Sequence, residues 1–294
     1  MMAVMSDQAA AIAQGAGNFE GSNPEAIRVY GAAIQGRRSE QQDAFRSVWL
    51  AAEQAWLLVV ADGMGGHAGG AVASRLAADA FVGTFTARRA AGVSLGEALQ
   101  AALDDANARI ARGQQEMPET EGMGTTLVAA HLSSEGLAHI SVGDSPLWVL
   151  RAGALERINA DHSFRPAVAR GAKAIANMLQ SVLNGDPIPL IDARPKPRRL
   201  RSGDLVIVAS DGLLTLEASE IAAVAARHAD AGAEAVTHGL LAEVVSRGKS
   251  NQDNCTVLVA LAPIAAEHRT RWPAIVAATL AIVVTIGYLA WRLS

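Results

Sequence analysis

The sequence has few of the residues that build disulfide frameworks, thiolate metal sites or aromatic binding platforms. Cys255 is its single cysteine, which excludes an intramolecular disulfide and a metal site made of several thiolates. Aromatic residues make up only 4% of the chain, so a tightly packed core of Ala, Val and Leu is favoured over an aromatic recognition surface. The scarcity of cysteine indicates a reducing compartment.

Positive charge is also in short supply. The 25 Lys and Arg residues are outnumbered by 29 Asp and Glu residues, and the formal net charge is −4. Nucleic-acid-binding domains normally carry a basic surface, so this balance argues against a nucleic-acid partner. The basic cluster Arg198–Arg201 is short and is interpreted as a solvated loop.

The two ends of the chain differ in character. Residues 1–26 contain no apolar stretch long enough for a signal peptide and predict a disordered leader. Residues 272–292 are mostly apolar, and no charged residue lies between Pro273 and Ala290. At ~1.5 Å per residue this segment spans roughly 30 Å, the thickness of a hydrocarbon core.

Trp272 and Trp291 bracket this apolar segment, as residues at the two interfaces of a membrane do. The alternative is a buried core helix, but a terminal helix without a polar face has no obvious place in a soluble domain. We therefore expect a C-terminal transmembrane helix, joined by a short linker, 262–271, to a domain that spans 27–261 and stays in the cytoplasm.

Hydrophobic patterning between the two ends predicts a mixture of strands and helices. Short apolar runs rich in β-branched residues predict strands at 26–33, 56–61, 125–132, 136–142, 146–151, 205–209 and 255–261. Apolar stripes at helical spacing predict helices at 70–86, from 94 onwards, at 219–227 and at 233–247. Gly-containing turns between the central strands are typical of antiparallel hairpins.

Aspartates recur at the ends of the apolar strands. Asp62 and Asp211 each follow a β-branched run and precede glycine, Asp144 lies between two strands, and Asp253 precedes the last strand. With Asp43, they form an all-oxygen set, which suits Mg²⁺ or Mn²⁺ better than zinc. The plainer interpretation, that each aspartate merely ends a strand or caps a turn, stays open for any one of them.

Short segments around these aspartates form an ordered series. They are Arg38–Ala44, Ala61–His67, Gly124–Thr126, Val142–Ser145, Asp161–Ser163, Ser210–Leu213 and Gln252–Thr256. In this order they resemble the motifs of the metal-dependent protein phosphatases of the 2C type, the PPM family. The resemblance covers about residues 27–261, and the ordered set is far more specific than any single segment. It implies an α+β fold, a four-layer α-β-β-α sandwich of two antiparallel sheets flanked by helices, with the metals in a cleft at one edge.

The resemblance also implies site residues. Two divalent ions, Mg²⁺ or Mn²⁺, would be held by Asp43, Asp62, the Gly63 carbonyl, Asp211 and Asp253. Asp62 would bridge the two ions. Asp144, together with Asp211, matches the pair that many members use for a third, weaker metal, and Arg38 matches the arginine that grips the substrate phosphate.

The implied reaction is hydrolysis of phosphoserine and phosphothreonine in proteins, in opposition to a kinase of the same system. Two ions ~3.5–4 Å apart lower the pKa of a bridging water and so generate hydroxide near neutral pH. A planar guanidinium binds two phosphate oxygens at once, which lysine cannot do.

The segments depart from the family pattern at several positions. Gln42 stands where many relatives have Glu, Met64 replaces a histidine of animal members, and Pro146 replaces an arginine. His67 is a candidate general acid, although a packing role in the loop is favoured, and His162 is expected to stabilise its turn. The segment 164–183 is shorter than the flap expected there.

Two other functions stay open. Gln42, Pro146 and the short flap also suit a non-catalytic phosphoprotein-binding module that keeps the phosphatase fold. The intact aspartates count against it. A phosphomonoesterase for small molecules is the third interpretation, and comparing turnover of phosphoproteins and metabolites separates it from the first.

Overall fold

The structure, a computed structural model, describes residues 27–65, 69–165 and 178–263. Its strands are β1 (Arg28–Ile34), β2 (Asp43–Leu50), β3 (Ala55–Met64), β4 (Gly124–Thr125), β5 (Leu127–Ser133), β6 (Gly136–Val142), β7 (Leu147–Arg151), β8 (Ala154–Arg157), β9 (Asp192–Arg198), β10 (Leu205–Ala209) and β11 (Cys255–Leu261). Its helices are α1 (Gly69–Ala90), α2 (Leu95–Glu116), α3 (Ala218–His228) and α4 (Ala233–Ser246). Short 3₁₀ turns lie at Pro118–Thr120, Asp211–Thr215 and Ala229–Ala231.

The strands form two sheets whose pairings are antiparallel. Sheet 1 has the order β1-β11-β10-β7-β8, and sheet 2 has the order β2-β3-β5-β6-β9, with the short β4 paired to β3. Because adjacent strands run in opposite directions, each sheet presents the end of one strand beside the start of the next. This arrangement later determines where the acidic residues meet.

Three apolar clusters separate four layers. One cluster lies between sheet 2 and the pair α1 and α2, a second between sheet 1 and the pair α3 and α4, and a third between the two sheets. Strand β3 contributes to two of them: Leu57 and Val59 face the helices, while Leu58 and Val60 face the other sheet. A strand covered on both faces needs an unbroken apolar run, which is what residues 56–61 supply. The predicted α-β-β-α sandwich is confirmed.

The ends of several predicted elements shift. Helix α1 runs to Ala90 rather than to residue 86, and Arg89 in its last turn pairs with Glu53 at 2.8 Å. The predicted strand 125–132 is divided at Thr126 into β4 and β5. Ser94 is the N-cap of α2, and its hydroxyl accepts a hydrogen bond from the Glu97 backbone, as its spacing predicts.

Three strands, all at the edges of their sheets, were not predicted. β2 and β9 lie at the two edges of sheet 2, and β8 lies at an edge of sheet 1. The interpretation of Arg198 as part of a solvated loop is wrong, because Arg198 ends β9 and pairs with Glu156 of β8 at 2.5 Å. Edge strands tolerate polar residues and proline, so their sequences lack the apolar signal of a central strand.

The predicted leader, 1–26, and the predicted transmembrane helix, 272–292, lie outside the described residues, as does most of the linker. Among residues 27–65, 69–165 and 178–263, no helix combines the length and apolar character that crossing a bilayer requires.

Candidate metal centre

Antiparallel pairing brings three of the predicted acidic residues to one edge of sheet 1. β10 ends two residues before Asp211, and its neighbour β11 begins two residues after Asp253. Asp144 lies in the turn from β6 to β7, and Leu147, the first residue of β7, pairs with Val208 near the end of β10. The carboxylates that lie far apart in the sequence therefore share one edge.

The remaining two aspartates lie in sheet 2 and are joined to sheet 1 through hydroxyl groups. Asp43 and Asp62 face each other across the β2–β3 pair. Oδ2 of Asp43 accepts hydrogen bonds from Ser210 Oγ and Thr256 Oγ1, each 2.7 Å long. Ser210 precedes Asp211, and Thr256 lies in β11, so both donors come from sheet 1. One carboxylate thus contacts both halves of the sandwich.

The other carboxylate oxygen of Asp43, Oδ1, gives the clearest indication of a metal site. Oδ1 is buried and has no hydrogen-bond partner among the described residues. A buried carboxylate oxygen without a partner is costly, and such groups are usually satisfied by a donor or a cation. The atom is therefore suited to coordinate a metal ion.

The raised pKa values of Asp43 and Asp62 also indicate a metal site. Burial raises the pKa of Asp43 to about 7, with Asp211 and Asp253 adding to the rise and the Ser210 and Thr256 hydroxyls opposing it. Burial also raises the pKa of Asp62 well above its ordinary value, and the four other site aspartates raise it further. Carboxyl groups whose pKa is raised by burial and by neighbouring carboxylates are stabilised as anions by a divalent cation.

Hydrogen bonds to two threonines fix the backbone of Asp62. The Asp62 nitrogen donates to Thr126 Oγ1 at 3.0 Å, and the Asp62 carbonyl accepts from the Thr126 nitrogen and from Thr125 Oγ1, each at 2.9 Å. Thr126 Oγ1 also lies 2.7 Å from Ser145 Oγ, next to Asp144. The threonines of the third sequence segment therefore position Asp62 rather than contact a substrate.

Both Asp-Gly turns need glycine because of close backbone contacts. A Cβ on Gly63 would lie 2.0 Å from the Gly70 carbonyl oxygen, and one on Gly212 would lie 1.9 Å from the Asn254 carbonyl oxygen. No side chain fits in either space. The Asp62-Gly63 and Asp211-Gly212 pairs are thus built alike, one at the end of each central strand.

Arg38 lies beside Asp253 at the exposed side of the site. Its Nη2 is 2.5 Å from Asp253 Oδ2, and the two side chains are 56% and 38% exposed. The loop that carries Arg38 is tied to the last segment by Asn254, whose Oδ1 accepts from the Gln42 nitrogen and whose Nδ2 donates to the Gln35 and Glu40 carbonyls. The predicted phosphate-binding arginine therefore stands at the acidic cluster in a solvent-accessible position.

Asp144 and Asp211 are held by a further arginine that sequence reasoning did not predict. Arg165 Nη2 lies 2.8 Å from Asp144 Oδ2 and 3.4 Å from Asp211 Oδ2. Burial raises the pKa of Asp144 to about 6, and Asp211 adds to this, whereas Arg165 lowers it. Burial likewise raises the pKa of Asp211, and the negative charge of Asp253 raises it further.

Other residues singled out in the sequence have structural roles or lie beyond the described ranges. His162 is buried, and its Nδ1 accepts from the Gly143 nitrogen at 3.2 Å, as expected of a residue that stabilises its turn. The Gln42 amide donates to Glu40 at 2.7 Å, and the Pro146 carbonyl accepts from the Ala209 nitrogen at 3.0 Å. His67 and most of the flap, 166–177, lie outside the described residues.

The sequence missed Ser210, Thr256, Thr126 and Arg165. The first three stand inside the quoted segments, and Ser210 and Thr256 also lie within three residues of an aspartate, which was the available signal. Arg165 stands two residues beyond Asp161–Ser163, and nothing in its neighbourhood marks it.

The donor set fits a pair of hard divalent cations. The five aspartates offer only oxygen, Asp43 Oδ1 is buried without a partner among the described residues, and no cysteine is near except the buried Cys255. Within the described ranges, no three or more His, Cys, Asp or Glu side chains already have their ligand atoms gathered around one point. Arg38 holds Asp253 instead, so rotation of the Arg38 side chain would accompany metal binding, while Arg165 lies between Asp144 and Asp211.

Comparison with known proteins identifies the family. The sequence model described as Protein phosphatase 2C matches residues 30–243. The chain belongs to the protein phosphatase 2C family. It is 32% identical over 214 residues to the serine/threonine protein phosphatase PstP of Mycobacterium tuberculosis, covering 69% of this chain and 40% of that protein. It is 30% identical over 173 residues to a serine/threonine phosphatase, stp, of Listeria monocytogenes, covering 54% and 67%.

A solved structure agrees with this membership. The catalytic domain of PstP in complex with two manganese ions superposes with a TM-score of 0.65 and 30% identity, over 80% of this chain and 97% of that one. The chain spans less than half the length of the mycobacterial relative, so the alignment concerns one domain of that protein.

Proposed function

We propose that this member of the protein phosphatase 2C family is a protein serine/threonine phosphatase that works with two divalent ions, Mg²⁺ or Mn²⁺. The observation that carries the proposal is the buried Oδ1 of Asp43, which has no hydrogen-bond partner among the described residues and lies next to aspartates that raise its pKa. The two manganese ions in the PstP complex support the choice of metal.

The proposed ligands lie at the acidic edge, the place where Asp43, Asp62, Asp144, Asp211 and Asp253 come together. Asp43, Asp62 and the Gly63 carbonyl would hold the ion pair on the side of sheet 2, and Asp211 and Asp253 on the side of sheet 1. When bound, the ions supply a hydroxide nucleophile near neutral pH and offset the charge of the phosphate. Ser210 and Thr256 orient Asp43, and the hydroxyls of Thr125 and Thr126 hold the backbone of Asp62.

Arg38 is the proposed phosphate-binding residue. Its guanidinium is 56% exposed and is held beside the site by Asp253, so it can turn two N–H groups towards an arriving phosphate. In the reaction a water oxygen forms a bond to phosphorus, the ester P–O bond breaks, and the departing Ser or Thr oxygen takes up a proton. Arg38 would offset the charge on two of the three phosphate oxygens that do not react.

The expected substrates are cytoplasmic or membrane-associated proteins that carry phosphoserine or phosphothreonine, placed there by a kinase of the same system. We further propose that residues 272–292 anchor the domain to a membrane, with the bacterial inner membrane as the expected location. The proposal rests on the apolar sequence between Trp272 and Trp291. Fractionation of cells that express the full chain and a version ending at Pro263 tests it: the full chain should pellet with membranes and resist salt extraction.

Activity of the purified chain on phosphoserine and phosphothreonine peptides tests the proposed reaction. We expect phosphate release that requires Mn²⁺ or Mg²⁺ and falls by at least about 100-fold in Asp211→Asn, because a metal ligand is lost. Asp79→Asn is the matched control, since Asp79 pairs with Arg46 at the surface, with a side chain 63% exposed. Its activity should equal that of the unchanged protein.

Two results would contradict this function in different ways. Tight phosphopeptide binding without turnover, with either ion, would favour the non-catalytic phosphoprotein-binding module. Turnover of small phosphate esters of metabolites with none on phosphopeptides would favour the small-molecule phosphomonoesterase.

A further inference from the structure

Arg165 places a positive charge at the point where Asp144 and Asp211 come together. Its Nη2 lies 2.8 Å from Asp144 Oδ2 and 3.4 Å from Asp211 Oδ2, and its Nη1 lies 3.9 Å from Asp161 Oδ2. The Arg165 side chain is only 25% exposed, and that of Asp144 is 5% exposed. One guanidinium thus contacts both carboxylates of the pair that the family resemblance associates with a third metal.

The backbone that leads to Arg165 is held by several contacts. The Arg165 nitrogen donates to Ser163 Oγ at 3.2 Å. The preceding residue, Phe164, donates from its nitrogen to the Met178 carbonyl at 3.0 Å, and Ser163 forms a bridge with Leu179. These contacts fix the backbone from which the Arg165 side chain reaches the two carboxylates.

A second layer of contacts keeps Asp161 negative beside Arg165. The Asp161 carboxylate accepts from the Ser163 nitrogen at 2.9 Å, from Ser163 Oγ at 2.6 Å and from Arg157 Nη1 at 2.9 Å. These hydrogen bonds outweigh burial, the largest single influence, and lower the pKa of Asp161. Arg157 also donates to the Asp144 carbonyl at 2.8 Å. The charges around Arg165 are thus arranged to receive a cation at this position.

A metal ion and this guanidinium cannot share the two carboxylates. Mg²⁺ requires oxygens at roughly 2.0–2.1 Å, so an ion bound to Asp144 Oδ2 and Asp211 Oδ2 would overlap the position of Arg165 Nη2. Arg165 is part of the chain and is always present at this position, whereas a weak metal is bound only at a high concentration of the ion.

We propose that Arg165 occupies the position that Asp144 and Asp211 would otherwise give to a third divalent ion, so that this chain binds two ions and carries the third positive centre itself. The inference rests on the proposed function, because it concerns the same metal site. It means that Mn²⁺ binding reaches its limit at two ions per chain.

Counting bound Mn²⁺ on the full chain tests the inference without measuring turnover. Free Mn²⁺ is followed by its electron paramagnetic resonance signal while the protein is titrated. We expect two ions in the unchanged protein and a third in Arg165→Ala, bound at least about tenfold more weakly because only two carboxylates hold it. Arg165→Lys keeps a charge at this position and should bind two.

Two further variants make the count specific. Arg165→Ala combined with Asp144→Asn should return to two ions, because the third site loses a ligand. Arg198→Ala removes an arginine that pairs with Glu156 at the surface, and it should also bind two. Thermal unfolding of each variant with Mn²⁺ present identifies any variant that fails to fold, and the Arg165→Lys protein then decides whether charge at residue 165 controls the count.

Three ions in the unchanged protein, or two in Arg165→Ala with both affinities unaltered, would overturn the role of Arg165 and leave the phosphatase function standing. Fewer than two ions in the unchanged protein would contradict the proposed function, and this inference with it.

Discussion

Opposing influences act on the pKa of the Asp43 carboxyl group. Two hydroxyl groups donate to Oδ2 and favour the anion, while burial and the neighbouring Asp211 and Asp253 favour the neutral acid. Burial and repulsion prevail, and the pKa rises from 3.8 to about 7. The geometry of the anion is therefore prepared, but its charge is tolerated only when a cation is near.

This balance predicts how the stability of the metal-free protein depends on pH. The folded state holds the Asp43 proton more tightly than the unfolded state, so this contribution is fully present below about pH 4 and is lost as the pH rises through about 7. Asp43→Asn should reduce the fall in free energy of unfolding between pH 5 and pH 8 by on the order of 1–3 kcal/mol. Urea denaturation in a metal chelator measures it.

Asp79→Asn again serves as the control, because Asp79 lies at the surface away from the acidic edge. It should keep the pH dependence of the unchanged protein. An equal loss of stability in Asp43→Asn and in the unchanged protein over this range would mean that Asp43 does not bear the raised pKa.

Single residues could be predicted from the sequence where their local pattern was strong. Asp62 and Asp211 follow apolar β-branched runs and precede glycine, and each lies at the end of a strand, one in each sheet. Ser210 and Thr256 act on Asp43, more than 160 positions earlier, and Arg165 reaches carboxylates that only the folded sheets bring together. Such roles depend on long-range pairing, which no local pattern encodes.

At the scale of elements, the ends of the central strands position the site. β3 and β10 each end near an Asp-Gly pair, where the aspartate belongs to the acidic cluster and the glycine lets another backbone approach closely. The contact of Gly212 with the Asn254 carbonyl packs the 3₁₀ turn at Asp211–Thr215 against the segment that leads into β11. The same contact therefore sets the spacing of Asp211 and Asp253.

Gly212→Ala tests the importance of this approach. An added Cβ would lie 1.9 Å from a backbone oxygen that belongs to a buried segment, so we expect the free energy of unfolding to fall by about 2–4 kcal/mol. Gly83→Ala is the matched control: nothing lies within 4 Å of its added Cβ in the middle of α1, and it should gain about 0.5–1 kcal/mol.

Chemical denaturation of the two alanine variants under one condition supplies the comparison. A Gly212→Ala protein as stable as the Gly83→Ala protein would show that the turn has room to move, and the account of the Asp-Gly pairs would then be wrong.

The central elements could be predicted from apolar runs, whereas the edge elements could not. β10 and β11 lie at the residues predicted, since both faces of each strand are buried and the run is unbroken. β9 contains two prolines and is largely exposed, and β2 is only partly buried for most of its length. Their pairing with a neighbour, rather than their own side chains, makes them strands.

At the scale of the whole molecule, the two sheets meet at a site that neither could form alone. Sheet 2 supplies Asp43 and Asp62, and sheet 1 supplies the edge at which Asp144, Asp211 and Asp253 lie. The family resemblance predicted this sandwich correctly. The membrane-spanning role of the apolar C-terminal segment, 272–292, remains a prediction from sequence alone.

The central claim is that these distant aspartates converge on two divalent ions. Anomalous scattering from crystals of the protein grown with Mn²⁺ tests it most directly. We predict two manganese peaks about 3.5–4 Å apart, contacted by Asp43, Asp62, Asp211 and Asp253. No peak at the acidic edge, or a single ion that leaves Asp43 and Asp62 without metal contact, would contradict the account.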